Sequence, residues 1–262
     1  MSKLLRADFF RILKSKLTII SLALAAGLPI VVFGAMFGFD AFLQAIGGTE
    51  LTDLGVARSL IGSSYSLSNN IGIVIPIFSA IFVCFDVSQG TLRNKLITGS
   101  SRIQVYLSHL ITSIVYCVVI INIYFAFNFI YLCLFFGAGS LGTDAAIYML
   151  QLFVCGTLTF VFIASIATFF SLALKSVAPA IIFTIILGIA LSSATQLVVL
   201  LQSMNNNSSE WTSLIPTFSL SLLSYVSKLS VTQFVLGIAS PIIFATVFTA
   251  LGIYIFKTKD LK

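Results

Sequence analysis

The chain has 262 residues, 59% of them hydrophobic and 8% charged, with a formal net charge of +6. Soluble domains carry about 25% charged residues, so this surface is too poor in charge to face water, and its solvent is lipid. A soluble enzyme is excluded, and so is a nucleic-acid-binding module: basic residues here flank membrane segments, and no basic stripe with interleaved aromatics lies outside the apolar runs.

Lipid leaves only helices or closed barrels as spanning structures. Barrel strands alternate apolar and polar residues over about ten positions. The apolar runs here are continuous and about twenty residues or longer, which is helix length. The expected fold is therefore all-α: a polytopic membrane protein with six transmembrane helices and both termini cytoplasmic, built as one transmembrane domain over residues 1–262.

Residues 1–16 predict an interfacial amphipathic helix, with Leu5, Phe9, Ile12 and Leu13 on one face and Lys3, Arg6, Arg11 and Lys14 mostly on the other. The first apolar run, 17–39, exceeds the 7–15 residues or so of a signal h-region and reads as a retained span. The remaining spans are 70–85, 104–136, 147–174, 177–202 and 234–256, the third being longer than a bilayer needs. Asp40 to Asn69 forms the longest polar excursion, and residues 213–232 predict a re-entrant or surface-lying element on the outer side. Lysine and arginine fix the orientation. They precede span one, occupy 93–102, join spans four and five at Lys175 and end the chain, leaving Arg58 and Lys228 opposite.

Several chemistries lack their motifs. No G-x-x-x-x-G-K-[ST] occurs, so the chain has no Walker-type phosphate loop. No Asp, Glu, Lys or Arg sits near the middle of a span, where ion-coupled transporters place proton relays. The single histidine, His109, reads as an interfacial hydrogen-bonding residue, and no H-E-x-x-H or G-x-S-x-G appears. Catalytic and metal-ligating residues are accordingly expected to be none. Cys84, Cys117, Cys133 and Cys155 lie inside apolar runs and read as small hydrophobes. Asn122, Asn128 and Gln196 are candidate substrate-pathway residues; with Gln151 and Gln202 they serve equally well as interhelical hydrogen-bonding groups. Small residues at Gly156, Ala164, Ser165, Ala167 and Ser171 permit close helix packing.

The loop 86–103 between spans two and three is more elaborate than topology requires. Asp86 marks the exit of span two, and Gly90 breaks the backbone. Residues 91–98, TLRNKLIT, make about two helical turns, with Leu92 and Leu96 on one side flanked by Arg93 and Lys95. Gly99 ends this piece, and Ser101 precedes Gln104 at capping-box spacing. A helical knob of this kind suits a groove on a cytoplasmic partner.

The run Asp86, Gly90, Thr91, Leu92, Arg93, Asn94, Lys95, Leu96, Gly99, Ser101, Arg102 and Tyr106 resembles the hallmark of permease subunits from type-2 ABC exporters. It is similar in particular to small bacterial permeases of phenol-soluble modulin export and lantibiotic immunity. Many such permeases carry Glu at the place of Asp86 and Lys near that of His109. The resemblance implies a multi-pass protein of the bacterial plasma (inner) membrane that pairs with a second permease, identical or not, and with cytoplasmic ATPase subunits. Loop 86–103 would be the coupling helix, with ATP and magnesium held by the ATPase and no cofactor in this chain. The implied cargo is amphipathic or hydrophobic, such as a toxin or antimicrobial peptide. Two other classes stay open: an ion-coupled secondary transporter or channel, and a membrane-embedded enzyme or sensor scaffold.

Overall fold

The computed structural model describes residues 2–45, 59–67, 71–97, 99–136, 144–174, 176–205, 210–224, 226 and 228–258. Most of the expected loop from Asp40 to Asn69, Arg58, Lys175 and the basic end beyond Thr258 lie outside them. The described residues form helices and no strand.

Helix α1 (Ser2–Lys14) is separated from α2 (Lys16–Ala45) by Ser15 alone. Ser15 caps α2: its hydroxyl accepts the Leu17 amide at 3.1 Å, satisfying one of the orphan donors at a helix start. Helices α3 (Ile71–Ser88), α4 (Thr91–Ile97) and α5 (Arg102–Phe136) follow. After them come α6 (Ala145–Leu174), α7 (Val177–Asn205), the short α8 (Phe218–Leu223) and α9 (Val231–Thr258). A helical turn at 59–62 runs into a 3-10 turn, Ser63–Tyr65, and a second such turn spans Glu210–Leu214.

Among the described residues, six helices are long and apolar enough to cross a membrane: α2, α3, α5, α6, α7 and α9. The expected spans 17–39, 104–136, 147–174, 177–202 and 234–256 fall within α2, α5, α6, α7 and α9, and 70–85 overlaps α3. Helix α5 has 35 residues, about 52 Å at 1.5 Å per residue, against a hydrocarbon core of about 30 Å. The helix is thus longer than the core is thick, and its first two turns meet α1 and α4.

Helix α6 is the centre of the bundle. It packs against α9, α5, α3 and α7 and buries Gly156, Ala164, Ser165, Ala167 and Ser171, so small side chains bring its neighbours close. Ser171 Oγ donates to Ala80 O of α3 at 3.2 Å. Helices α2, α7 and α9 instead turn large apolar side chains outward, among them Val31, Phe37, Ile182, Ile186 and Val235. A surface of that kind is stable only when lipid or protein covers it. All four cysteines are free thiols, and Cys84, Cys117 and Cys155 are buried.

Segment 213–232 is a turn, the short α8 and an irregular return rather than a seventh long helix. Phe218, Leu220 and Leu223 are buried against the bundle. Gln151 of α6 holds the return: its Oε1 accepts the Leu229 amide at 3.0 Å, and its Nε2 donates to Leu229 O at 3.5 Å. Both backbone groups of a buried residue are thereby satisfied.

Candidate functional site

The loop after α3 is built as its residues dictate. Gly90 and Gly99 adopt φ of +69° and +90°, a left-handed conformation that costs a side-chain-bearing residue about 1–2 kcal/mol. They bracket α4. Beyond it, Ser101 and Gln104 form a reciprocal cap on α5: each backbone amide donates to the other's side-chain oxygen at 3.3 Å. Arg102 donates from Nη1 to Lys257 O at 2.9 Å and so engages the last turn of α9.

The inward face of α4 closes over a small apolar cluster containing Val83, Val105, Tyr106 and Phe256, in which Leu92 is buried and Leu96 half-buried. The sequence reading offers these leucines to a partner, but the fold uses them to seat α4 on the bundle. Lys95, which flanks them in the sequence, also turns inward. Its Nζ donates to Asp86 Oδ2 at 2.9 Å and to Asp8 Oδ1 at 2.7 Å. The outward face of α4 is instead Asn94 and Ile97, three residues apart, with Ile97 73% exposed. The side chain of Arg93 lies outside the described residues.

A charge cluster is thus buried where four elements meet. Asp86, at the end of α3, is fully buried and accepts from Arg11 of α1, from Lys95 of α4 and from Thr91 Oγ1 at 2.8 Å. His109 of α5 places Nε2 3.4 Å from Asp86 Oδ2 and 3.5 Å from Lys95 Nζ. Asp8 of α1 receives Ser108 Oγ at 2.7 Å as well as Lys95. Two carboxylates and two cations balance, which is the condition under which buried charge is tolerated. Burial pushes the Asp8 carboxyl up, but the Lys95 hydrogen bond, the neighbouring His109, the Ser108 hydrogen bond and the Lys95 charge together outweigh it and hold the group below the usual carboxylate range. Burial pulls Lys95 and Arg11 below their ordinary values, and Asp8 opposes that pull on each.

Helix α1 accordingly differs from the amphipathic helix read in the sequence. Its buried face carries Asp8 and Ile12, while Leu13 is 69% exposed and Arg11 leaves the polar face to reach Asp86. Asp8 was missed altogether. An acid four residues before Ile12, on the apolar side of a basic helix, is the signal that could have found it.

The three pathway candidates do not line one channel. Asn122 Oδ1 accepts Tyr65 Oη at 2.7 Å and Thr157 Oγ1 at 3.3 Å, and its Nδ2 donates to Val118 O at 2.8 Å. Asn128 is buried and donates to Tyr124 O at 2.8 Å. Gln196 is exposed and borders a hydroxyl-rich cavity that Tyr65 also lines. Tyr65 therefore links Asn122 to that cavity. Its ring lies against Gly156, where a Cβ would stand 2.4 Å from ring atoms, and against Phe125 at 5.0 Å between centroids.

No group of three or more metal-ligating residues occurs among the described residues. The fold and its surface define the class: an all-helical, multi-pass membrane protein with six spanning-length helices. The chain belongs to the family described as protein of unknown function DUF2705, whose model matches residues 17–262. Among curated proteins, none matches the chain.

Proposed function

We propose that this chain is the membrane-spanning permease subunit of an ABC exporter of the bacterial plasma membrane, coupled through loop 86–103 to a separate cytoplasmic ATPase. One observation carries the reading. The hallmark-like run from Asp86 to Tyr106 forms a short helix between two left-handed glycines, seated at the end of the bundle where the basic residues gather. Basic flanks favour the cytoplasmic side, so that end, with both termini, faces the cytoplasm. A knob whose base is bolted to α1, α3 and α5 passes a push on its outward face to all three helices. In this reading Asn94 and Ile97, with Arg93, meet the ATPase, and Asp86, Lys95 and Asp8 keep the knob rigid. A second permease copy or paralogue completes the transporter, and the cargo is amphipathic or hydrophobic, such as a toxin or antimicrobial peptide.

The test is affinity purification of the tagged chain from its native membrane. ATP hydrolysis should co-purify, and Ile97→Glu or Arg93→Glu should remove it while leaving the amount of inserted chain unchanged. Transport in vesicles by the chain alone would instead favour a secondary transporter. For topology, a cysteine at exposed Ser230 should be labelled from outside intact cells; Ser213 is buried and unsuited to this assay.

A further inference from the structure

At the end of the bundle away from the charge cluster, a cavity of about 170 Å³ lies between residues 59–67, α7 and α8. None of its lining residues is charged, and most carry hydroxyls. Seven of the nine lining hydroxyls have an acceptor for their hydrogen. Ser63 donates to Leu60 O at 2.8 Å, Ser192 to Gly188 O at 3.1 Å, and Thr195 to Ser192 O at 2.8 Å. Thr217 donates to Leu191 O at 3.5 Å and Ser224 to Leu220 O at 3.4 Å. Ser221 Oγ has two acceptors in reach, Thr217 O at 3.3 Å and Thr195 Oγ1 at 3.2 Å. Tyr65 has given its hydrogen to Asn122.

A hydroxyl has one hydrogen and two lone pairs, so hydroxyls spent this way present acceptors. The complementary guest is rich in donors and free of acceptors. Exposed Gln196 adds amide N–H donors on one side, but the hydroxyls above offer an anion no hydrogen, and a polyol brings two lone pairs for every hydrogen. An alkylammonium head has three N–H donors and no acceptor. Size narrows the choice further. The volume is below the roughly 300–1,000 Å³ of drug-sized pockets and equals the share of about five or six waters, so it takes a head group rather than a whole peptide.

We propose that this cavity is a binding site for a primary ammonium group. Thr195 and Ser221, their oxygens 3.2 Å apart, are the pair one ammonium can bridge. The source is either a soluble amine, including one carried by a cargo molecule, or the amine of a lipid headgroup. With no carboxylate in the wall, recognition depends on N–H donation, and exposed Ser59 and Gln196 leave the cavity open at one side, so the cation is not sealed in without a counter-charge. Occupancy is a property of the chain itself, independent of any ATPase.

The experiment uses the purified full chain in detergent. Thermal unfolding is followed with butylammonium chloride against tetramethylammonium chloride at equal ionic strength, since the second cation has no N–H. The midpoint should rise about 3 °C at ten times the half-saturating concentration of butylammonium, and not with tetramethylammonium. Thr195→Val and Ser221→Ala, each measured against its own baseline, should weaken the response about tenfold, whereas Ser230→Ala should leave it intact. A second arm adds phosphatidylethanolamine or phosphatidylcholine to the micelles. A rise specific to phosphatidylethanolamine assigns the lipid amine; a rise with butylammonium alone assigns a soluble one. No rise with either amine, equal rises with both salts, or a full response in both cavity variants overturns the proposal.

Discussion

Asp86 and Tyr65 sit near opposite ends of α3 and are equally inaccessible, yet they are held by different means. Asp86 is neutralised by Arg11 and Lys95 from two other helices and lies against His109 of a third. Around Tyr65 the polar groups are uncharged, and apart from the buried Ser64 hydroxyl, which has no hydrogen-bond partner among the described residues, most are satisfied nearby. Thr159 and Thr184 donate to carbonyls four residues back, as do Ser192 and Ser224, and Tyr65 itself needs only Asn122. One end is therefore cooperative: taking away a member strands its partners. The other is a set of separate hydrogen bonds, in which packing rather than charge sets the tolerance.

The contrast is most exposed to Asp86→Ala. Arg11 and Lys95 would face each other without their shared acceptor, and losing one partner of a buried pair costs about 3–5 kcal/mol. Thermal unfolding in detergent should show this as the largest loss of any single substitution discussed; a cost no greater than that of Ser221→Ala would erase the distinction between the ends. Gly156→Ala comes next. The new methyl collides with the Tyr65 ring, and overpacking of this kind costs about 1–3 kcal/mol in the same assay. Trimming the ring with Tyr65→Leu in the same chain should return part of it. Gln151→Leu strands the buried Leu229 amide at about 1–2 kcal/mol, read as faster hydrogen exchange at that one amide while the charged end is unchanged.

The smallest effect is acid sensitivity of the α1 clamp. The Asp8 carboxyl lies below its ordinary 3.8 in the folded chain, so its contribution is present above that value and is lost as pH falls through the lowered one. Tryptic cleavage at the α1–α2 junction, by exposed Lys14 and Lys16, should be no faster at pH 5 than at neutrality after correction for the enzyme's own pH dependence. Hydrogen exchange of the α1 amides should then rise only below about pH 4. In Asp8→Asn that acid step should vanish.

What the sequence made legible follows the range of the forces involved. The six long apolar helices, the break at Gly90, the stop at Gly99 and the Ser101–Gln104 cap all act within a few residues of themselves, and each was readable locally. The direction of Lys95 was not. Its partners Asp8 and Asp86 come from α1 and α3, and a lysine beside an apolar pair looks the same whether it faces solvent or a buried acid. Leu92 and Ile97 were indistinguishable for the same reason, since one seats the helix and the other projects from it. Asn122 and Asn128 were legible as polar groups in apolar helices, but their commitment to Tyr65 and Tyr124 depends on tertiary contact and on helix register.

The cluster that ties α1 to α3, α4 and α5 also sets an order of biosynthesis. Asp8 and Arg11 emerge from the ribosome first, yet Lys95, Ser108 and His109 are translated nearly a hundred residues later. Asp86, the acceptor for Arg11, comes only a little sooner, and until these partners are made the charged groups of α1 lack the residues that hold them in the fold. Helix α1 is thus made well before it can find its seat, and nascent chains arrested before α5 should leave it open to protease.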